Sequence, residues 1–308
     1  MVYSVGSDIA MPTVAAVSER LGLPLFHGHD IVETLHRKAN LRTFLDTHGI
    51  SPVAHRVVRE PADVDGFDVY PAIVKPSDSQ GQRGVQYVTD PDQARAAVAT
   101  AVGFSATKTA IIEEFLDGPE VSVHVFVVDG QVEVTLPTDR FVWDGPVTGV
   151  AEGHATPCRE LTDDLRPEVE ALIRAVVGAL GVGTGPLYFQ LKLTSRGPRI
   201  IEIAPRLDGC HLWRLLDVHT GFNILDRCFD LLAGGSWQPV EIGPTGLCHE
   251  LWFDLAPPSI PFSAADHPPR PEAGTVVYEE WQVDEGALPR DANGVVSRLG
   301  YRIYERPA

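Results

Sequence analysis

An Asp129-Gly130 dipeptide separates two runs of alternating character, VSVHVFVV at 121–128 and QVEVTLP at 131–137. Asp-Gly supplies the positive φ angles that a two-residue hairpin turn demands, so the two runs form an antiparallel pair. A second hairpin is encoded at 187–204. Leu187, Phe189, Leu191 and Leu193 alternate with Tyr188, Gln190 and Lys192, and on the return Ile201 and Ile203 alternate with Ile200, Glu202 and Ala204. With Ser195 to Gly197 as the turn, Gln190 faces Glu202, Tyr188 faces Ala204 and Lys192 faces Ile200. Leu191/Ile201 and Phe189/Ile203 then share the opposite face, which makes the register self-consistent.

Helical segments flank the hairpins. A strand at 2–5, a Gly-Ser-Asp turn and a helix to about Leu21, stopped by Gly22 and Pro24, make one βα unit. A lone βα unit cannot bury both faces, so either further chain upstream or another lobe must cover it. A helix from about Ile31 to His48 puts Leu35, Leu41, Phe44 and Leu45 on one stripe and leaves Lys38 off it. From Ser51 the pattern is strand-rich: VAHRVV, YPAIVKP, a glycine-containing loop and VQYVT. A helix opened by Pro91 and stopped at Gly103 precedes a further strand, AIIEEFL. Residues 138–159 read as irregular, Thr162 opens a helix ending at Gly181, and another helix runs from about Gly221 to Leu232. The proline-rich tail from Val240 reads as a small appended β lobe.

At 308 residues the chain is about twice the usual single-domain length, so more than one lobe is expected. No apolar run is long enough to span a membrane, and no basic region followed by an apolar core marks a secretory leader. The cysteines Cys158, Cys210, Cys228 and Cys248 form no CxxC pair, which fits reduced thiols in a cytoplasmic protein better than a disulfide framework or a zinc site. A net charge of −17 repels a phosphate backbone and argues against nucleic acid as a partner. Against twenty-one arginines stand only the lysines Lys38, Lys75, Lys108 and Lys192. A chain so committed to Arg can be retaining Lys where a compact ammonium is needed, or by chance.

The candidate chemistry lies in a few places. No GxxxxGK[ST] occurs, the GxGxG at 181–185 follows a helix instead of a strand, and His249-Glu250 lacks the second His of a zinc-protease motif. Gln190 and Glu202, on neighbouring strands with Lys192 beside them, form either a Mg²⁺ site shared with nucleotide phosphates or a solvated polar face. The loop Ser77-Asp78-Ser79-Gln80-Gly81-Gln82-Arg83-Gly84 has the small residues that let backbone N–H groups approach phosphate, with Arg83 adding charge; a mobile surface hairpin is the alternative. Glu113 and Glu114 end a strand and read equally as edge-strand charges.

Taken in order, RKANLRTFLDTHGI, AIVKPSDSQGQRGV, AIIEEFLDGPEVSVHVFVVDG, LYFQLKLTSRGPRIIEIAPRLDG and TGFNILDRCFDLLAGG resemble the ATP-grasp superfamily, at its approximate spacing. Within it they are similar to the carboxylate–amine ligases that include dipeptide-forming L-amino-acid ligases. The resemblance implies an α/β (α+β) fold in which two α+β subdomains clamp ATP. It implies a partial N-terminal α/β unit and linker helix at 1–50, subdomain A at 51–116, subdomain B with the metal site at 117–239, and a β-rich lobe at 240–308.

It also implies roles. Lys38 and Lys75 match phosphate-contacting lysines, and the loop with Ser77, Ser79, Gly81, Arg83 and Gly84 matches a flap that closes over the phosphates. Glu113, Glu114, Phe115 and Leu116 resemble the hinge that reads adenine, largely through backbone groups, and Glu120 matches the acid on the ribose. Gln190 and Glu202 match metal positions, for Mg²⁺ or alternatively Mn²⁺. Arg206 and Lys192 match catalytic cations, and Glu152, His154, Arg206, Asp208 and Gly209 lie where relatives contact substrate. Gln190 stands where most relatives carry an acid, Ala204 stands where many have a metal-binding Asn, and the chain starts inside the family's N-terminal domain. The implied partners are a small-molecule carboxylate and an amine, with neither nucleic acid nor membrane and with homodimers among the assemblies. The implied chemistry forms an acyl phosphate and ADP, then an amide. A carboxylase or formate-activating enzyme of purine-synthesis type, and a nucleotide-binding module without catalysis, remain the competing readings.

Overall fold

The computed structural model describes residues 1–145, 149–243, 245–291 and 293–307. After a single 3-10 turn at Asp8–Ala10 come α1 (Met11–Leu21), α2 (His29–His36) and α3 (Lys38–Thr47). A small antiparallel sheet follows, made of β1 (His55–Val58), β2 (Ala72–Pro76), β3 (Gln86–Val88) and, after α4 (Pro91–Phe104), β4 (Ala110–Glu114), in the order β1-β4-β2-β3. Then come β5 (Glu120–Val128), β6 (Gln131–Val142), β7 (Ala151–Thr156), α5 (Arg166–Leu180), β8 (Gly185–Thr194), β9 (Gly197–Ala204), α6 (Leu212–Thr220) and α7 (Ile224–Leu232). The chain closes with β10 (Leu247–Ala256), β11 (Thr275–Trp281) and β12 (Ser297–Pro307), giving a large sheet of order β11-β12-β10-β7-β6-β5-β8-β9.

Both encoded hairpins form. Asp129 and Gly130 take φ of 49° and 79°, and Val128 pairs with Gln131, as a two-residue turn requires. In the second hairpin Gln190 faces Glu202 and Tyr188 faces Ala204 as read from the alternation. Nearer the turn the register differs: Leu191 faces Ile200 and Lys192 faces Arg199. The loop is the two residues Ser195-Arg196, closed by the Thr194–Gly197 pair, and a bulge at Ile201 absorbs the extra residue. The bulge keeps Ile200 in the core, fully buried, where a strict alternation would have turned it out.

Elsewhere tertiary packing overrides local pattern. Residues 2–5 form no strand; Tyr3 and Val5 instead pack, with Phe26, against the Phe126 and Phe222 cluster of the large sheet. The helix expected at 31–48 breaks at Arg37, whose ψ of 117° is extended. The break lets the Lys38 N–H donate to the Ser77 carbonyl at 2.9 Å, so α3 begins on the glycine-containing loop. The stretch expected to be irregular holds the end of β6 and all of β7, and the helix expected at Thr162 starts at Arg166. Strands β10 and β12 add to the edge of the large sheet through β7, so the tail's strands continue that sheet.

Strand β5 is the centre of the molecule. Val121, Val123, Val125 and Val127 face a core shared with Ile173, Val176 and Phe189, while Phe126 faces Leu136, Leu207 and Phe222 on the other side. Burial on both faces explains its nearly unbroken apolar run. The smaller sheet has its own core, in which Val74, Ile112 and Val58 meet Ala94, Ala97 and Val98 of α4.

Gly118 joins the two sheets. Its φ is +82°, and a Cβ there would lie 2.0 Å from the Leu193 carbonyl oxygen, so both conformation and space require glycine. Gly118→Ala is expected to cost at least about 2 kcal/mol of unfolding free energy. A urea midpoint unchanged from wild type would show that this crossing does not hold the sheets together.

Candidate active site

The crossing between the sheets runs beside the β8–β9 hairpin and arranges polar groups at two ends. One end gathers around a small cavity lined by Asp8, His36, Lys38, Ser79, Gln80 and Glu202. Lys38 opens α3 and donates its Nζ to the Ser79 carbonyl at 3.0 Å, while the Ala39 N–H reaches Ser77 Oγ at 3.3 Å. The first turn of α3 thus holds the loop by its backbone. Asp78 anchors it from the other side, accepting from the N–H groups of Ala106 and Thr107 at 3.2 and 2.9 Å. Gly81 and Gly84 take φ of 71° and 72°, and Arg83 is exposed, without an ion pair among the described residues. Ser79 Oγ is buried without a partner, and the Glu202 carboxylate makes no hydrogen bond or ion pair among the described residues. An unpartnered hydroxyl, a lysine and an unpaired carboxylate around one cavity fit phosphate and a hard cation.

The other end is built on Phe115, Leu116, Glu120, Gln190 and Lys192. The N–H groups of Glu114 and Phe115 are taken by the carbonyls of Ala54 and Pro71, both at 2.9 Å. Leu116 keeps its backbone groups free of protein partners among the described residues. The exposed Phe115 ring meets Tyr87 edge-on at 5.1 Å, with Lys192 Nζ 6.0 Å from its centroid. Glu120 pairs with Arg140, accepts from Gln190 Nε2 at 2.8 Å, and lies 3.6 Å from Lys192 Nζ. Lys192 also donates to the Gly118 carbonyl at 2.8 Å, so it belongs to this end and not to the end with Arg206. Arg140 had no signal in the sequence, because only the β5–β6 register sets it opposite Glu120.

Three acids and bases expected at the site have protein partners in this structure. Glu113 is buried and bridges Arg42 at 2.6 Å and Lys75 at 2.5 Å, so its side chain ties α3 to β2 and β4. Burial alone would raise the Glu113 carboxyl, but the two cations outweigh it and hold the group at about 2. Burial lowers the Lys75 ammonium, with Glu113 opposing that shift. Asp208, expected against substrate, accepts the N–H groups of Cys210 and Leu212 at 2.8 and 3.1 Å and so caps the start of α6.

Behind Arg206 the remaining substrate candidates converge. His154 of β7 is fully buried and both ring nitrogens lack a partner. Its ligating atoms, with those of Asp208 and Cys210, lie within 4.8 Å of one another. Burial, then the charges of Arg140 and Arg298, hold the His154 imidazole neutral, well below its ordinary range. Arg298 reaches the Gly209 carbonyl at 3.2 Å and Cys210 Sγ at 3.1 Å. Two guanidinium groups make this cluster unsuited to a cation and suited to a polar or anionic substrate. Glu152, two residues from His154, meets Arg270 at 3.4 Å.

Comparison with known proteins gives the family. An ATP-grasp domain model matches residues 68–212. The phosphoribosylamine–glycine ligase of Streptomyces coelicolor is 31% identical over 318 residues, spanning 94% of this chain and 70% of that protein. The chain belongs to the ATP-grasp family. It is a carboxylate–amine ligase of the ADP-forming, C–N-bond-forming kind. The Mycobacterium tuberculosis phosphoribosylamine–glycine ligase is 27% identical over 329 residues, covering 96% of this chain and 74% of that one. Among solved structures, L-amino acid ligase from Bacillus licheniformis superposes with a TM-score of 0.76 at 20% identity, over 98% of this chain and 74% of that chain. At that identity the likeness is one of fold. No helix among the described residues is long and apolar enough to cross a membrane.

The Glu113 cluster sets a pH dependence. Its folded pKa lies below the ordinary 4.5, so the ionised form stabilises the fold; that contribution is complete above about 4.5 and is lost as pH falls toward about 2. Glu113→Gln should lower stability at pH 7 by about 3–5 kcal/mol, because two buried cations lose their partner. It should also flatten the acid limb of a urea-midpoint profile. An acid limb identical to wild type would remove Glu113 as its source.

Proposed function

We propose that the protein uses ATP to activate the carboxylate of a small molecule, an amino acid foremost, and joins it to an amine. A carboxylate oxygen attacks the γ-phosphorus, the bond to the β-phosphate breaks and ADP leaves. The amine nitrogen then attacks the acyl carbon, phosphate departs, and the nitrogen gives up a proton. The observation that carries this reading is the cavity at which Lys38, the unpartnered Ser79 hydroxyl and the unpaired Glu202 carboxylate meet beside the Asp8–Arg206 pair. Phosphoryl transfer asks for positioning and charge stabilisation, which these groups supply.

In this reading Leu116 takes adenine with its free backbone groups, Phe115 and Tyr87 border the base, and Glu120 reaches the ribose. Lys38, Lys75 and the loop from Ser77 to Gly84 hold the phosphates, and the loop keeps water from the acyl phosphate. Mg²⁺, when bound, neutralises the phosphates; Glu202 and the side-chain oxygen of Gln190 would hold it, with Mn²⁺ as a substitute. His154, Arg298 and Gly209 border the substrate, where the charge of Arg298 favours an anionic or neutral polar group over a cationic one. The relatives' own names point to the same substrate class, since one set is named for glycine and the other for L-amino acids.

Two outcomes test this. The nucleotide product should be ADP; AMP with pyrophosphate would mean an adenylate route. A screen of amino-acid pairs, with glycine plus phosphoribosylamine as one arm, should find an amine-dependent rise in ADP. Dependence on bicarbonate or formate would favour a carboxylase-type reaction, and ATP binding without ADP in any arm would favour a non-catalytic module. Glu202→Gln should abolish ADP formation and leave thermal unfolding unchanged, because the carboxylate has no protein partner to lose. Gln190→Glu would set a second carboxylate against Glu120, now its hydrogen-bond partner at 2.8 Å. That variant should therefore unfold at lower temperature in EDTA and recover with Mg²⁺. An EDTA-independent melting temperature would place Gln190 outside the metal site.

A further inference from the structure

Arg206 lies just after β9 with 5% of its surface exposed, and its orientation is fixed from the far end of the chain. Its Nε donates to Asp8 Oδ1 at 2.8 Å, Nη2 donates to Asp8 Oδ2, and Nη1 donates to the Leu207 carbonyl at 2.6 Å. A guanidinium has five N–H donors, so one on each terminal nitrogen stays uncommitted. The segment that brings Asp8 here is seated backbone against backbone. A Cβ on Gly6 would lie 2.8 Å from Gly209 Cα and 2.9 Å from the Asp208 carbonyl oxygen, and a Cβ on Gly209 would lie 2.9 Å from the Gly6 oxygen. Paired glycines thus set the distance from the Asp8 carboxylate to Arg206. Asp8 also lines the cavity shared by Lys38, Ser79 and Glu202.

We propose that Asp8 is a positioning residue for the ligation reaction: it holds the Arg206 guanidinium with its two uncommitted N–H groups toward the transferring phosphate, and the Gly6–Gly209 contact sets the spacing. This rests on the ligase reading above. The physical reason is competition. The other acids whose charges act on Arg206 are Glu202 and Asp208. Asp208 is committed to the first turn of α6, whereas the Glu202 carboxylate has no protein partner among the described residues. Without Asp8, Arg206 would turn to Glu202, leaving the phosphate position and neutralising the carboxylate assigned to the metal. A bidentate pair with Asp8 prevents both and leaves the guanidinium preorganised.

The test is a double-mutant cycle of Asp8→Ala and Arg206→Ala, read as kcat and KM for ATP. Asp8→Ala should lower kcat about 10- to 100-fold with little change in KM. In the Arg206→Ala background the same change should have no further effect, since Asp8 acts through Arg206. Equal fold-losses in both backgrounds would overturn the proposal. Asp8→Asn keeps the shape and one acceptor oxygen, so it should fold like wild type and show an intermediate loss of kcat; full activity in this variant counts against the proposal. A second readout is the affinity for ADP with aluminium fluoride, a mimic of the phosphate in flight. Each single variant should weaken it about tenfold, the double variant no more, with ADP alone unaffected. A wild type that binds this mimic yet forms no ADP in the substrate screen rejects the ligase reading, and the binding cycle still decides the role of Asp8. A wild type that binds neither ADP nor the mimic overturns both.

Discussion

The pairing of β5 with β8 is what every other part of the site depends on. Because β5 is buried on both faces and hydrogen-bonded on both edges, it cannot shift its register without exposing the whole valine row at 121–127. That fixed register sets Glu120 opposite Lys192 and Ser122 opposite Gln190. Through β8 it then fixes Gln190 opposite Glu202 on β9, and the loop leaving β9 carries Arg206. Both ends of the candidate site hang from one rigid ladder.

Onto that ladder the rest of the chain brings charges in pairs. Glu113 gathers Arg42 and Lys75, Glu120 gathers Arg140, and Asp8 gathers Arg206. The Glu113 and Asp8 pairings join elements from different parts of the chain, whereas Glu120 and Arg140 face each other within one hairpin. Ser79 and Glu202 line the cavity together with Asp8, the residue that holds Arg206. Buried ion pairs contribute little net stability once their desolvation is counted, but breaking one is costly, so they serve well to fix side-chain geometry.

The surface charge belongs to the same picture. A net charge of −17 on a protein proposed to bind a nucleotide triphosphate requires its cations to be concentrated where the phosphates lie. Arg83 sits on the loop, Lys38 on the helix that begins against it, and Arg206 is held by Asp8, which lines the cavity.

The period-two alternation fixed that Gln190 and Tyr188 share one face of β8, because the other face had to be apolar. The pairing of Gln190 with Glu202 followed only with an assumed turn at 195–197, and in the structure a two-residue turn and the bulge together give the same pair. The Asp129-Gly130 turn was equally readable, since only a few residue types tolerate both positive φ angles. The resemblance in motif order pointed to the family and to the loop at 77–84. The bulge at Ile201 was not readable, because it depends on which isoleucine the α5 side of the core can take in. The fate of residues 2–5 was not readable either: a strand-like pattern packs against Phe126 without joining a sheet. Above all, nothing local links Asp8 to Arg206, which lie 198 positions apart. Local propensity acts over a few residues, whereas a carboxylate finds its guanidinium only after the backbone of Gly6 has met that of Gly209, so that contact was decided by the tertiary structure alone.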